Sequence, residues 1–390
     1  MTDAGVERAP VPPAPSPADA ARRRRALRRV VVWFGAALAV WAAKLFLVDV
    51  YGVREQSMWP TLRGDVDRVL VDKTAFVRGA PRRWDMVVFR REGKAFVKRV
   101  LSTGGERILL WNGDLFVGDD PSSSARPPRP PETTEAMRVP VYPGTGAVGP
   151  ARFKPFGDGE VFEVDGALGI RAACGVFRAH LRGALGDDMG VRDDHPGADG
   201  KMHRGRDPVP DVRVVVGKLR RDPGARFSVV HRLKGERRSV DLAATGLTVR
   251  VEEDGGAVRL VTFSELADAD GLEVETLDGF FVVRARTSNR DWREVWRDPR
   301  ATERFGDYSA LWFEVEGGAA TLGDLAVTRD AHYVWRDGAG LTADPRTVPP
   351  GTLFLVGDNA PVSTDSRTFG PVGLDALVGR VTGVVWPRSR

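Results

Sequence analysis

The segment "VVVWFGAALAVWAAKLFLV", Val30 to Val48, constrains the chain more than any other. Nineteen residues broken by one charge, Lys44, are long enough to cross a bilayer if that lysine extends its ammonium to the far interface. Six arginines lie just before it in "RRRRALRR", Arg22 to Arg29, so positive charge flanks the N-terminal side. That asymmetry predicts a cytoplasmic N-terminus and export of everything after the span. A cleaved signal peptide ending near Ala42 and Ala43 is the competing reading, and the apolar continuation "LFLVDVYGV" favours an uncleaved anchor over residues 30–50. Residues 1–29, rich in Pro and Ala before the arginines, read as a disordered cytoplasmic tail.

The formal charge of +5 is concentrated in that arginine cluster, which leaves the remaining chain close to neutral and without a nucleic-acid footprint. Cys174 is the single cysteine, so an exported domain has no intramolecular disulfide and no thiolate zinc site. His180, His195, His203, His231 and His332 are scattered without metal-ligand spacing and read as surface or core residues.

Behind the span, "DRVLVDK", "DMVVFRR", "KAFVKRVLS", "ERILLWN" and "DLFVGDD" are short, β-branched and punctuated by turn residues. They predict a β domain over 51–118 with a hairpin at "WNGD". Residues 119–150 are dense in Pro and Ser and read as an extended linker. Between 151 and 349, runs such as "RFSVVHRL", "LTVRVEE", "FFVVRAR" and "LWFEVEGG" predict many strands arranged as a sandwich or jelly roll. Its closing stretch loosely resembles concanavalin-like jelly rolls. Within it "RAACGVFRAHLRGAL" reads as a helix. The polar "GDDMGVRDDHPGADGKMHRGRDP" lacks the ligand alternation of a calcium loop and reads as solvated. After Pro350 the character of the first β domain returns, so residues 350–390 complete it and the middle block is an insertion.

The stretch "REQSMWPTLRGD", Arg54 to Asp65, is a shaped loop, because Pro60 lacks an N–H and holds Trp59 extended. A serine such as Ser57 needs a base within reach. A desolvated lysine can act as one, and Lys98 lies in the apolar strand "AFVKRV", where alternation places Phe96, Lys98 and Val100 on one face and Arg99 on the other.

The motifs "SMWPTLRGD", "RRWDMVVFR", "FVKRVLSTGGERI" and "VGDNAPVSTDSRTFGPV", in this order behind an apolar span, closely resemble bacterial type I signal peptidase, the leader peptidase of the serine–lysine class. The resemblance covers roughly residues 22–118 and 350–387. It implies a mainly β fold with an N-terminal transmembrane helix, a split β-rich catalytic domain and a large inserted β-rich domain. By it Ser57 is the nucleophile, with its own N–H in the oxyanion hole, and Lys98 the general base. Ser363 orients the lysine, Asp365 bridges Arg99 and Arg367 behind the site, and Gly357, Asp358 and Asn359 shape the adjacent loop. Met58, Trp59 and Pro60 border the substrate, with Met58 and Trp59 dipping into the membrane interface. The resemblance implies cleavage of exported preproteins after an Ala-X-Ala-like sequence on the outer, periplasmic face of the inner membrane, with no cofactor and no metal. Three positions depart from the family. Glu55 leaves no hydroxyl two residues before Ser57, Trp84 stands at a usual glycine, and "LSTGGE" replaces a Gly-Leu-Pro-Gly-Asp turn. The alternative is an exported protein whose insertion binds a glycan or envelope polymer beside a vestigial peptidase core.

Overall fold

The computed structural model describes residues 17–120, 124–143, 149–183, 190–197, 199, 201–278, 280–288, 291–298, 309–337, 340–342 and 344–386. The chain is mainly β. Its first element is the helix Pro17–Phe46, so the arginine cluster is helical rather than part of a disordered tail; residues 1–16 of that expected tail lie outside the described residues. Arginine is a good helix former, and no proline or glycine interrupts Ala18 to Phe34. From Val30 onward the helix exposes Val31, Trp33, Phe34, Val40 and Trp41. Among the described residues no helix is long and apolar enough to cross a membrane. The expected anchor over 30–50 is also shortened at its end. Val48–Gly52 is a strand paired with Arg68–Asp72, because its alternating residues, half-buried Asp49 and Tyr51 against exposed Val48 and Val50, suit a sheet edge.

Two separated stretches of chain build one seven-stranded antiparallel sheet. Its order is Val48–Gly52, Arg68–Asp72, Leu377–Trp386, Met86–Arg91, Lys94–Ser102, Thr352–Val356 and Val372–Gly373. The C-terminal strand therefore sits inside the sheet, between strands from the first hundred residues, and the fold cannot close without it. One face carries Val53, Met58, Leu62, Val69, Val71 and Val88 in a single apolar cluster. The other carries Val87, Phe89, Val100, Leu353 and Leu355.

A second small sheet pairs Arg107–Trp111 with Asp114–Val117 and Arg346–Thr347. The expected hairpin at "WNGD" is present. Trp111 pairs with Asp114, and Asn112 and Gly113 both take positive φ, 54° and 95°, as a two-residue turn matched to strand twist requires.

The stretch expected as a free linker is packed. Pro131–Ala136 is a short helix, Val139–Tyr142 pairs with Ala319–Arg329, and Trp84 Nε1 donates to Pro128 O at 2.9 Å. Proline limits the conformations of this segment without preventing it from lying against apolar surface.

The inserted region is a thirteen-stranded antiparallel sheet. The strand Ala167–Leu181 joins its two halves: Leu168–Arg171 pair with Ala319–Leu322, and Val176–His180 with Trp312–Glu316. Phe227, Val229 and Val240 from one half and Val214, Val216 and Val283 from the other share one apolar cluster, so the sheet folds over a single core. The helix expected at "RAACGVFRAHL" is thus a strand. Ile170, Phe177, Ala179 and Leu181 are buried in that core, and cross-strand partners on both sides override the helix propensity of its alanines and arginines.

Candidate active site

The loop between Gly52 and Arg68 is closed at its base by Val53 N–H donating to Asp67 O (3.0 Å) and Asp65 N–H donating to Val53 O (2.8 Å). Met58 and Leu62 hold it down, since Leu62 N–H donates to Met58 O at 2.9 Å and both side chains are buried in the sheet core. Met58, 1% exposed, is therefore an anchor of the loop and not a residue that dips into a membrane; Trp59 and Pro60 are half-buried. Glu55 takes φ 61°, in the left-handed region, and its carbonyl lies against Gly64, where a Cβ would meet the Glu55 oxygen at 2.0 Å. Trp84, another departure from glycine, likewise keeps φ 71°, held by the Pro128 hydrogen bond and by Arg129 lying 5.2 Å from its ring.

Ser57 sits half-buried at the outer edge of this loop, and its carbonyl accepts from Asn359 N–H at 3.0 Å. Asn359 Nδ2 donates to the neighbouring Gln56 O at 2.9 Å. Two hydrogen bonds from one asparagine thus fix the serine loop to the "GDN" turn, 302 residues along the chain. The same turn brings Ser363 up to it. A Cβ placed on Gly357 would lie 2.3 Å from Ser363 Oγ and 2.4 Å from Ser57 O, so the two serines meet over a hydrogen atom.

Lys98 lies in the strand Lys94–Ser102, opposite Val87, and is 2% exposed. Burial pushes its ammonium down to about 8; Arg367 adds to the fall, while Asp365, Glu55 and Asp358 oppose it. That Glu55 from one loop and Asp365 from the other both act on Lys98 places the amine where the two loops meet. Arg99 faces away, as alternation predicts. It does not share Asp365. Its Nε and Nη2 bond Asp358 Oδ1 and Oδ2 at 2.8 and 2.7 Å, and Nη1 donates to Trp84 O at 2.9 Å. Adjacent strand residues point to opposite faces, so Lys98 and Arg99 are turned toward different surroundings.

Asp365 instead pairs, among the described residues, with Arg367, through Nε and Nη2 at 2.9 and 2.8 Å, and also accepts from Gly357 N–H at 3.0 Å. It caps the short helix Ser366–Phe369, accepting from Arg367 N–H at 3.1 Å. Despite complete burial its carboxyl is held below the usual range by Arg367 and by these donors. Ser363 Oγ is buried with no hydrogen-bond partner among the described residues, yet is close enough to Asp365 to favour its charge.

Thr61 gave no sign in the sequence. Its hydroxyl donates to Asp358 Oδ2 at 2.5 Å and is within reach of Ala136 O, 3.1 Å away. Its partner is 297 residues distant, which no local pattern encodes.

The chemistry of a metal is offered elsewhere. Among the described residues Asp114, Asp211 and Asp278 bring one oxygen each within 4.8 Å of one another, at the joint between the small sheet and the insertion. Arg126 and Arg129 already face them. The acidic loop expected to be solvated is partly buried as well. Asp207 N–H donates to Asp193 Oδ1 at 2.8 Å and Gly205 N–H to Asp194 Oδ1 at 2.7 Å, so backbone donors replace water there; residues 186–189, 198 and 200 of that loop, and 184–185 of the expected helix before it, lie outside the described residues.

The family described as "Signal peptidase, peptidase S26" matches residues 26–151 and 323–386, and the resemblance to type I signal peptidase holds beyond the four motifs. The catalytic-type domain is split by an insertion, with 152–322 outside the match. The chain is 37% identical to Signal peptidase I of Bacillus caldolyticus over 22% of its own length and 47% of that protein. It is 29% identical to Signal peptidase I U of Bacillus subtilis over 25% of its length and 54% of that protein. It thus spans about half the length of these curated relatives. A solved CBM2 module of a Lactobacillus casei phage Dit protein aligns with 50% of this chain and 88% of its own at 8% identity, with a TM-score of 0.29, too low to assign the insertion's fold.

Proposed function

We propose that this protein is a membrane-bound serine endopeptidase that removes signal peptides from exported preproteins through Ser57 and Lys98. The observation that carries the reading is Lys98: a lysine 2% exposed, its ammonium pushed down to about 8 by burial, within the field of Glu55 on the serine loop and of Asp365 behind the turn that fixes that loop. About a tenth of such an amine is neutral at pH 7, and about half at pH 8, able to accept a proton.

In the proposed reaction Ser57 Oγ attacks the scissile carbonyl carbon while its proton passes to Lys98 Nζ. The tetrahedral oxyanion is held by the Ser57 N–H, and no side-chain hydroxyl at position 55 adds to it. Collapse breaks the peptide bond, and the Lys98 ammonium returns its proton to the leaving amine. The neutral amine then activates a water that hydrolyses the acyl-enzyme. Asp365, held by Arg367, faces the lysine as its fixed counter-charge, and Ser363 orients it. Arg99, Asp358 and Asn359 keep the supporting turn in place. Trp59 and Pro60 border the substrate, and small residues fit before the scissile bond as in the Ala-X-Ala pattern.

The helix supplies the anchor in this reading. Residues 30–46 rise about 26 Å, near the short limit for a bilayer core of about 30 Å. Val31, Trp33, Phe34, Val40, Trp41 and Phe46 among them are exposed, and the arginines before them hold the N-terminus in the cytoplasm. The catalytic sheet then lies on the outer face, and the insertion is a β-sandwich module beside it.

The test is cleavage of a preprotein bearing an Ala-X-Ala site in liposomes. Wild type releases the mature protein, and Ser57→Ala and Lys98→Ala each lose most of the activity. Equal cleavage by Lys98→Ala removes the dyad, and an inactive wild type removes the peptidase reading.

A further inference from the structure

Four aspartates converge at the joint between the small sheet and the insertion, each from the end of a different strand. Asp114 begins the strand Asp114–Val117 of the small sheet. In the inserted sheet Asp211 precedes Val212–Arg221, Asp278 follows Ala269–Leu277 and Asp330 follows Ala319–Arg329. Backbone contacts fix them relative to one another: Asp278 N–H donates to Asp211 Oδ2 at 3.1 Å, and Asp330 N–H to Asp211 O at 3.0 Å. Asp114, Asp211 and Asp278 thereby hold one oxygen each within 4.8 Å of one another. Asp114, Asp211 and Asp330 are 5%, 6% and 1% exposed.

Two arginines answer this charge in part. Arg126 Nε lies 3.3 Å from Asp114 Oδ2, and its Nη1 donates to Asp278 O. Arg129 Nη1 donates to Asp330 Oδ1 at 2.7 Å, and its Nη2 lies 3.6 Å from Asp278 Oδ1. Four carboxylates against two guanidiniums leave an excess of two negative charges in a place that water does not solvate. Asp330 gives a second, separate sign. It shares one guanidinium with Asp278, and its charge acts on all three of the other carboxyls. Its Oδ2 is nonetheless buried with no hydrogen-bond partner among the described residues. A buried carboxylate oxygen that meets no donor, among carboxylates that repel it, calls for a cation.

We propose that Asp114, Asp211 and Asp278 bind one hard divalent cation of calcium size, with Asp330 supplying the remaining charge, and that this ion ties the insertion to the small sheet. Charge and size both select it. Two positive charges cancel the excess. Oxygens on opposite sides of a calcium ion lie about 4.6–5.2 Å apart, which the observed spacing allows, whereas magnesium holds them at about 4.0–4.2 Å in a strict octahedron. The two guanidiniums weaken the attraction, so the affinity belongs with the weak calcium modules, with Kd about 10⁻⁴–10⁻³ M. Protons compete with the ion for the same oxygens, so binding strengthens from acid to neutral pH. The ion takes no part in the chemistry at Ser57, and the site stands independently of the peptidase reading.

The experiment uses the full chain in detergent micelles at neutral pH: calorimetric titration with calcium chloride, and thermal scans in chelator, in millimolar calcium and in millimolar magnesium. Wild type binds one calcium ion per chain, and its melting temperature rises by roughly 2–4 °C in calcium over chelator, with less than half that rise in magnesium. Asp114→Asn/Asp278→Asn keeps both side-chain shapes and leaves two carboxylates matched to the two arginines. It melts near or above wild type in chelator, and calcium no longer shifts it. Asp211→Asn alone weakens calcium binding roughly tenfold or more. Wild type that takes up no calcium, a shift of equal size in magnesium, or a calcium shift retained by the double variant overturns the site. The wild-type titration decides the matter by itself if a variant fails to fold.

Discussion

Arg99 and Asp358 close on each other through two parallel hydrogen bonds, 2.8 and 2.7 Å, with side chains only 3% and 0% exposed. Next to Arg99 on the same strand, Lys98 faces the opposite side and keeps its amine for the serine loop. One residue of strand register separates a structural ion pair from the buried amine proposed as the base. The pair is a fixed strut under the "GDN" turn that holds Asn359, and through it the Ser57 carbonyl.

Removing one partner of this pair leaves a buried, unpaired charge. Asp358→Ala strands the Arg99 guanidinium and the Thr61 hydroxyl together and should lower stability by about 3–5 kcal/mol. Asp358→Leu combined with Arg99→Leu removes both charges and should cost less than either single change. Urea unfolding of the three variants measures this; additive losses would contradict it.

The pH dependence of cleavage should follow the Lys98 amine. Burial lowers it to about 8, and only the neutral form accepts the serine proton, so kcat/KM rises with pH and levels off above about 8. Asp365 acts on Lys98 in the opposite direction, raising it. Asp365→Asn therefore shifts the rising limb to lower pH while reducing the plateau through loss of the Arg367 partner. A pH profile on a preprotein substrate reads both effects.

The strands were legible in the sequence wherever the pattern was local. "KAFVKRVLS" alternates cleanly, "WNGD" specifies its own turn, and the return of the same character after Pro350 revealed a domain in two pieces. Long-range pairing was not legible. Nothing near Asp358 indicates that Arg99 and Thr61 will surround it, so Asp365 was assigned a second arginine that alternation in fact turns away. "RAACGVFRAHL" misled for the related reason that helix propensity is local: one flanking strand, Phe153–Val164, is near in sequence, but the partners on its other edge are 132 and 148 residues away or more. In "GDDMGVRDDHPGADGKMHRGRDP" the acidic residues suggested water, but Asp193 and Asp194 accept from backbone N–H groups of the returning limb.

At the joint between the small sheet and the insertion, burial and mutual repulsion raise the carboxyls of Asp114, Asp211 and Asp278, with Asp211 pushed up to about 7. A carboxyl with a raised folded value binds its proton more tightly in the folded chain. Its contribution to stability is complete below the ordinary carboxyl value near 4 and is lost as pH rises through about 7. The melting temperature should fall between about pH 4 and about pH 7, and Asp211→Asn should reduce that fall. Thermal scans of the two proteins at both pH values decide it; parallel curves would remove Asp211 from the account.

The close approach at Gly357 gives the last prediction. A methyl on Gly357 would lie 2.3 Å from Ser363 Oγ, a side chain able to rotate away, and 2.4 Å from Ser57 O, a backbone atom fixed by Asn359. The serine loop must shift for the methyl to fit. Gly357→Ala should therefore lower kcat by about a hundredfold, because displacement of a nucleophile by about 1 Å has that effect, with a stability loss of only about 1–3 kcal/mol. Gly52→Ala is the control: a Cβ there meets nothing within 4 Å, and both activity and stability should stay near wild type. Retention of full kcat by Gly357→Ala would mean that the serine loop and the "GDN" turn are not held as one unit, and the link from Asn359 to Ser57 would lose its role in positioning the nucleophile.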